Sequence, residues 1–157
     1  MLVAGERAPD FELPDHAGQI VALESLRSAG PVVLFFYPGD FTPICTREVC
    51  MVRNIHADLD AAGLRVVGIS PDAPEKHARF KADLELPFTL LADTRKQVVK
   101  LYGVDGPLGF GVRRASFLID PAGVIVDTLL ADWRVSRHET FLRRAEAMRR
   151  MALNPAP

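Results

Sequence analysis

Seven consecutive apolar residues, Pro31-Val32-Val33-Leu34-Phe35-Phe36-Tyr37, run directly into Pro38-Gly39. A run this short, β-branched and aromatic, with no polar residue on either face, predicts a strand buried on both sides. Such a strand needs covering layers above and below, which points to an α/β arrangement. The run is also far too short for a bilayer span, which takes about 20 apolar residues as a helix.

The rest of the chain supplies the covering. Phe11-Glu12-Leu13 and Gln19-Ile20-Val21 flank the turn residues Pro14 to Gly18 and read as a hairpin-like cap. From Pro43 to Ala62 the pattern is helical, with Cys45, Val49, Val52, His56 and Leu59 three and four apart, Ile55 widening the stripe and Gly63 as the stop. Leu64 to Ser70 predicts a second strand, Pro74 to Leu84 a helix that tolerates proline in its first turn, Phe88 to Ala92 a short strand, and Thr94 to Tyr102 a short helix closed by Gly103. After a glycine-rich loop to Gly111, Ala115–Ile119 and Val124–Thr128 flank Asp120-Pro121-Ala122-Gly123 as a hairpin. A final helix, Ser136 to Met151, has Phe141, Leu142, Ala145 and Met148 as its expected buried stripe, and residues 153–157 are expected to fray. With no repeat, linker or low-complexity tract, residues 1–157 read as one domain: a mixed central sheet with helices on both faces.

Composition narrows the function. With 157 residues and a net charge of −1, the chain carries no global field that favours nucleic acid or an anionic membrane. The Arg143-Arg144 and Arg149-Arg150 pairs are most simply the solvated face of the last helix. Met1 to Glu6 lacks a basic stretch leading into an apolar one, so no secretory signal is expected, and the expected location is cytoplasmic. The 2 cysteines, Cys45 and Cys50, cannot make a disulfide framework. Tetrahedral zinc wants four ligands in close pairs, and His16, His56, His77 and His138 are scattered, so neither a metal nor another cofactor is expected.

The buried strand turns at Pro38-Gly39-Asp40-Phe41 into a helix whose first turn holds Cys45, with Thr42 a natural N-cap and Pro43 a natural first residue. Free backbone N–H groups and the helix dipole there favour negative charge, and thiolate is the nucleophilic form of cysteine. A buried cysteine is usually a small hydrophobe; the capped strand-turn-helix setting argues for chemistry instead.

Pro38-x-x-x-Thr42-x-x-Cys45 resembles the active-site signature of the peroxiredoxins, and a second cysteine five residues on resembles their bacterioferritin-comigratory, or PrxQ, subgroup. Ala8-Pro9-Asp10-Phe11, Val67-Gly68-Ile69-Ser70, Leu90-Leu91-Ala92-Asp93 and Arg114-Ala115-Ser116-Phe117-Leu118-Ile119-Asp120 continue the likeness along most of the chain. The resemblance implies a thioredoxin-like fold and a thiol peroxidase acting on hydrogen peroxide and organic hydroperoxides. Cys45 would be the peroxidatic nucleophile, Thr42 would bind the peroxide oxygens, Pro38 would shield the thiolate, and Arg114 would stabilise it. Family spacing selects Arg114 over Arg113, which reads as a surface residue. Glu48, one turn after Cys45, either orients Arg114 or is a surface carboxylate. No histidine is required.

The resemblance makes Cys50 the resolving cysteine, recycled by a thioredoxin-type reductant. On an ideal helix, residues five apart are rotated by roughly 140° with Cα atoms about 8.7 Å apart, beyond the roughly 7 Å that disulfides tolerate. A Cys45–Cys50 bond therefore requires the helix to unwind locally. The alternatives are a one-cysteine enzyme resolved by an external thiol and a non-enzymatic redox-sensing domain. A thiol–disulfide oxidoreductase is disfavoured because Cys-x-x-Cys is absent. Apolar Phe41, Pro107, Leu108 and Phe110 suit either an entrance for organic peroxides or a subunit contact, so monomer and homodimer both stay open.

Overall fold

The computed structural model describes residues 1–154. Its elements run β1 (Glu12–Pro14), β2 (Ile20–Ala22), α1 (Leu23–Arg27), β3 (Val32–Phe36), α2 (Pro43–Ala61), β4 (Arg65–Ser70), α3 (Pro74–Leu84) and β5 (Thr89–Ala92). Then follow α4 (Gln97–Leu101), a 3-10 turn at Pro107–Gly109, β6 (Ala115–Ile119), β7 (Ile125–Leu130) and α5 (Val135–Leu153). β1 and β2 form a small antiparallel pair, and the other strands form one mixed sheet in the order β5-β4-β3-β6-β7. β3 runs parallel to β4 and antiparallel to β6.

The apolar run is thus the central strand, and its alternation sorts two cores. Val32, Leu34 and Phe36 pack with Leu23 and Leu26 of α1 and Val98 and Val99 of α4. Val33, Phe35 and Tyr37 pack with Val49 and Val52 of α2, Phe80 of α3 and Phe141 of α5. Full burial of such side chains contributes about 1.5–3 kcal/mol each, which anchors the strand from which the loop into α2 springs. In β4 a Cβ at Gly68 would lie 2.8 Å from Phe35 and 2.9 Å from Leu90. The missing side chain leaves room for the ring.

Several boundaries differ from the sequence expectations for local reasons. The five-residue α1 escaped notice because it is too short to show a period and its N-cap, Ala22, makes no capping bond. The expected helix from Thr94 is only Gln97–Leu101: Lys96 is left-handed (φ 56), and the Asp93 carboxylate takes the Val99 N–H at 2.8 Å. A turn held from outside replaces the first helical turn. In α2, His56 is only half-buried beside Phe88, whereas Glu48 and Met51 are buried. Met148 is exposed, and the inward stripe of α5 is instead extended by His138. Of the tail expected to fray, Leu153 closes α5, and 155–157 lie outside the described residues. Among the described residues, no helix is long and apolar enough to cross a membrane.

Candidate active site

β3 ends at Phe36, and the chain turns through Tyr37 to Phe41 before α2 starts. Phe41 sits in the left-handed region (φ 65) with its ring edge-on to Phe80, centroids 4.9 Å apart. That conformation costs a non-glycine residue about 1–2 kcal/mol. A buried polar network holds the turn in place. The Tyr37 hydroxyl donates to Asp40 Oδ1 at 2.7 Å, and Asp40 Oδ2 lies 2.6 Å from His77 Nδ1. His77 Nε2 faces the Leu91 carbonyl at 3.0 Å. The Asp40 N–H donates to Asp72 Oδ2 at 2.7 Å, and Asp72 also takes Ser70 Oγ and Lys76 Nζ. Burial, and then the Asp40 charge, push the Tyr37 phenol well above its ordinary pKa. Burial raises Asp72 as well, but the Asp40 N–H, Lys76 and Ser70 outweigh it, so the carboxyl ends below its usual value. Asp40, Asp72 and His77 hold atoms of metal-ligand type close together, yet these atoms are already engaged with one another and with Tyr37, Lys76 and Leu91.

Thr42 occupies the N-cap position but does not cap. Its hydroxyl donates to the Gly39 carbonyl at 2.9 Å. That corrects the capping expectation and leaves the hydroxyl oxygen free to accept from another group. With Pro43 first in the helix, the N–H groups of Ile44 and Cys45 have no intrahelical partner. Cys45 is fully buried, and Cys50 is half-buried farther along the same unbroken helix.

Arg114 reaches the thiol from the chain just ahead of β6. Because Ala115 pairs with Phe36, the entry to β6 lies beside the exit of β3. Arg114 Nη2 lies 3.3 Å from Cys45 Sγ, Nη1 donates to Glu48 Oε1 at 2.7 Å, and Nε donates to the Asp132 carbonyl at 3.2 Å. Burial lowers the guanidinium pKa, but Glu48 and Cys45 together hold it above its ordinary value. Glu48 is itself buried, and burial outweighs Arg114 to push its carboxyl up to about 7. Arg113 instead pairs with Asp132 at 2.6 Å near the surface.

The structure therefore brings Cys45, Arg114 and Glu48 together, with Thr42 on the approach to the helix. Pro38 is exposed and lines a groove with Pro107, Phe110, Val112, Arg114 and Trp133. Leu108 and Phe41 lie outside that lining. Sequence reasoning missed His138, whose Nδ1 is 3.6 Å from Glu48 Oε2, and Asp132, which anchors Arg114. The three-residue step from His138 to Phe141 along the buried stripe was the available signal for the first.

Residues 4–128 match the model of the AhpC/TSA family. The chain belongs to that family. Its relatives there are peroxiredoxins. Peroxiredoxin Bcp of Escherichia coli strain K12 is 41% identical over 143 residues, spanning 87% of this chain and 90% of that one. Among solved structures, peroxidoxin BcpB of Mycobacterium tuberculosis superposes with a TM-score of 0.88 at 34% identity, covering 94% of this chain and 98% of that one. A bacterioferritin comigratory protein of Xanthomonas campestris, described for its alkyl peroxide reduction activity, has a TM-score of 0.81 at 25% identity, covering 88% and 92%. The family fold is the thioredoxin-like sheet with helices on both faces, and this chain is a thiol peroxidase of the Bcp/PrxQ kind.

Proposed function

We propose that this peroxiredoxin reduces hydroperoxides through Cys45, resolves the product through Cys50, and is recycled by a thioredoxin-type dithiol. The observation that carries the reading is the buried Arg114 guanidinium 3.3 Å from the Cys45 sulfur. A thiolate there has a cation beside it and unengaged helix N–H groups behind it.

The chemistry follows from the placement. The Thr42 hydroxyl, its proton committed to Gly39, presents lone pairs that accept the O–H of a hydroperoxide and aim it at the sulfur. The thiolate attacks; an S–O bond forms as the O–O bond breaks, and the leaving hydroxide or alkoxide takes a proton to become water or alcohol. Arg114 and the free N–H groups stabilise the charge that moves across the reacting oxygens. Pro38 forms the outer wall. The apolar side of the groove, Phe110, Val112 and Trp133, suits the hydrocarbon part of an organic hydroperoxide.

The Cys50 thiol then attacks the Cys45 sulfenic acid; an S–S bond forms and water leaves. Both cysteines lie within the intact α2, so this step needs the helix to open around Thr42 to Arg53. Opening releases Cys45 and Glu48 from Arg114 and loosens Val49 and Val52. A reducing, cytoplasmic setting suits an enzyme with two free thiols and a dithiol reductant.

Stopped-flow mixing with one equivalent of peroxide tests the reading. Wild type is expected to oxidise quickly and lose two hydrogens by mass, with faster amide exchange over Thr42 to Arg53. Cys45→Ser is expected to be folded and inert. A stable sulfenate with Cys50 still free selects the one-cysteine mechanism, and substantial turnover by Cys45→Ser rejects Cys45 as the nucleophile.

A further inference from the structure

Glu48 accepts Arg114 on Oε1, but its other oxygen, Oε2, is buried with no hydrogen-bond partner among the described residues. His138 Nδ1 on α5 lies 3.6 Å from it, with both side chains essentially fully buried. The surroundings of the ring assign its protons. His138 Nε2 faces the Ala131 carbonyl at 3.0 Å, and a carbonyl only accepts, so Nε2 carries a proton. In the neutral ring Nδ1 is then a single lone pair with two neighbours, the Ser116 hydroxyl at 2.9 Å and Glu48 Oε2, and it accepts from one of them at a time. An ionised Glu48 would therefore turn a bare oxygen toward a bare nitrogen in a dry site, an arrangement that a single proton relieves.

We infer that His138 is a positioning residue of the peroxidase site: with Glu48 it holds one exchangeable proton, and that proton decides whether Arg114 serves Cys45 alone or is shared with a second anion. The inference rests on Cys45 being the nucleophile. With the proton present, Glu48 is neutral and the guanidinium faces one negative partner, the Cys45 thiolate. With the proton lost, one buried cation stands between two anions. The charged and titratable groups around the pair are few. Helix α2 contributes Cys45 and Glu48, and the entry to β6 contributes Arg114. Asp132 is occupied by Arg113 and the Arg114 backbone N–H. Helix α5 contributes His138 itself, with Arg137 beside it. Burial lowers the ring's pKa, opposed by the Ala131 carbonyl, with Arg114 and Arg137 lowering it further. The proton accordingly rests on the carboxyl, whose pKa of about 7 places its loss in the neutral range.

The expected sign follows. The thiolate's reaction with peroxide is fastest while Glu48 is protonated and falls as pH rises through neutrality, so the profile carries an inflection near 7 beyond that of the thiol itself. In His138→Leu the site stays dry but the proton loses its acceptor. The protonated carboxyl is then less favoured, and the inflection moves to lower pH. In Glu48→Gln the inflection disappears.

Second-order rates of Cys45 oxidation by hydrogen peroxide, measured by stopped flow across the neutral range in the three full-length proteins, give the test. Difference infrared spectra of the wild type provide a readout that needs no variant: a buried carboxylic acid C=O band present at about pH 6 and gone by about pH 8. Loss of the inflection in Glu48→Gln, its displacement in His138→Leu and the infrared band support the proton. A fast wild type whose inflection persists in Glu48→Gln, or stays in place in His138→Leu, or which lacks the band, overturns it. A wild type that reacts slowly at every pH instead overturns the reading of Cys45.

Discussion

Replacing His77 with phenylalanine should cost this fold a large part of its stability, although the residue lies outside the proposed catalytic machinery. The ring joins α3 to the loop that leads into α2: Nδ1 faces Asp40 at 2.6 Å and Nε2 faces the Leu91 carbonyl at 3.0 Å. Both facing oxygens can only accept unless Asp40 itself is protonated, so a proton lies between ring and carboxyl either way. Phenylalanine keeps the aromatic volume and removes both contacts, leaving Asp40 with the Tyr37 hydroxyl and no room for water at a side chain with 0% exposure. Removing one partner of a buried pair costs about 3–5 kcal/mol. At roughly 2–4 °C per kcal/mol for a chain of this size, the melting temperature should fall by about 6–20 °C. Urea titration followed by circular dichroism should show a lower midpoint at unchanged slope. The double variant Asp40→Leu, His77→Phe should recover part of the loss, because an apolar pair leaves no orphaned carboxylate. A His77→Phe melting point within about 2 °C of wild type, or strictly additive single and double losses, would falsify the claim that this pair holds the loop.

Glu48 should leave a mark on stability as well. Its carboxyl is raised from the ordinary 4.5 to about 7, so its contribution is fully present below pH 4.5 and is lost as pH rises through 7. At 1.36 kcal/mol per pH unit the loss approaches about 3 kcal/mol, and denaturant midpoints of Glu48→Gln should show a correspondingly flatter pH dependence. Thr42→Val should slow peroxide reduction by on the order of 10²–10³-fold while Thr42→Ser largely preserves it; equal rates in the two variants, measured by stopped flow, would remove the hydroxyl from the mechanism.

The sheet was legible because β3 has an unusual sequence: no polar residue interrupts Val32 to Tyr37, so only a doubly covered strand suits it. The thiol's setting was legible from Thr42-Pro43 and Cys45, although the threonine's hydroxyl turned out to serve Gly39 rather than the helix. A side chain's local role depends on rotamer choice, which nearby backbone carbonyls decide. Arg114 was found only through family likeness, since two adjacent arginines look alike until Asp132 takes one of them. Asp40 with His77 and Glu48 with His138 were invisible for a plainer reason. Pairs 37 and 90 residues apart leave no local pattern, and only the packing of α3 and α5 on α2 and its loop brings them together.

Cys45 and the arginine that attends it are 69 residues apart and meet only because β6 pairs with β3. A ribosome that has reached Tyr102 has already made the thiol, its loop and its helix, yet the guanidinium does not exist and the edge of β3 that receives it is bare. Under the proposed mechanism the thiol thus lacks its cation until the last third of the polypeptide has been made and β6 has paired with β3.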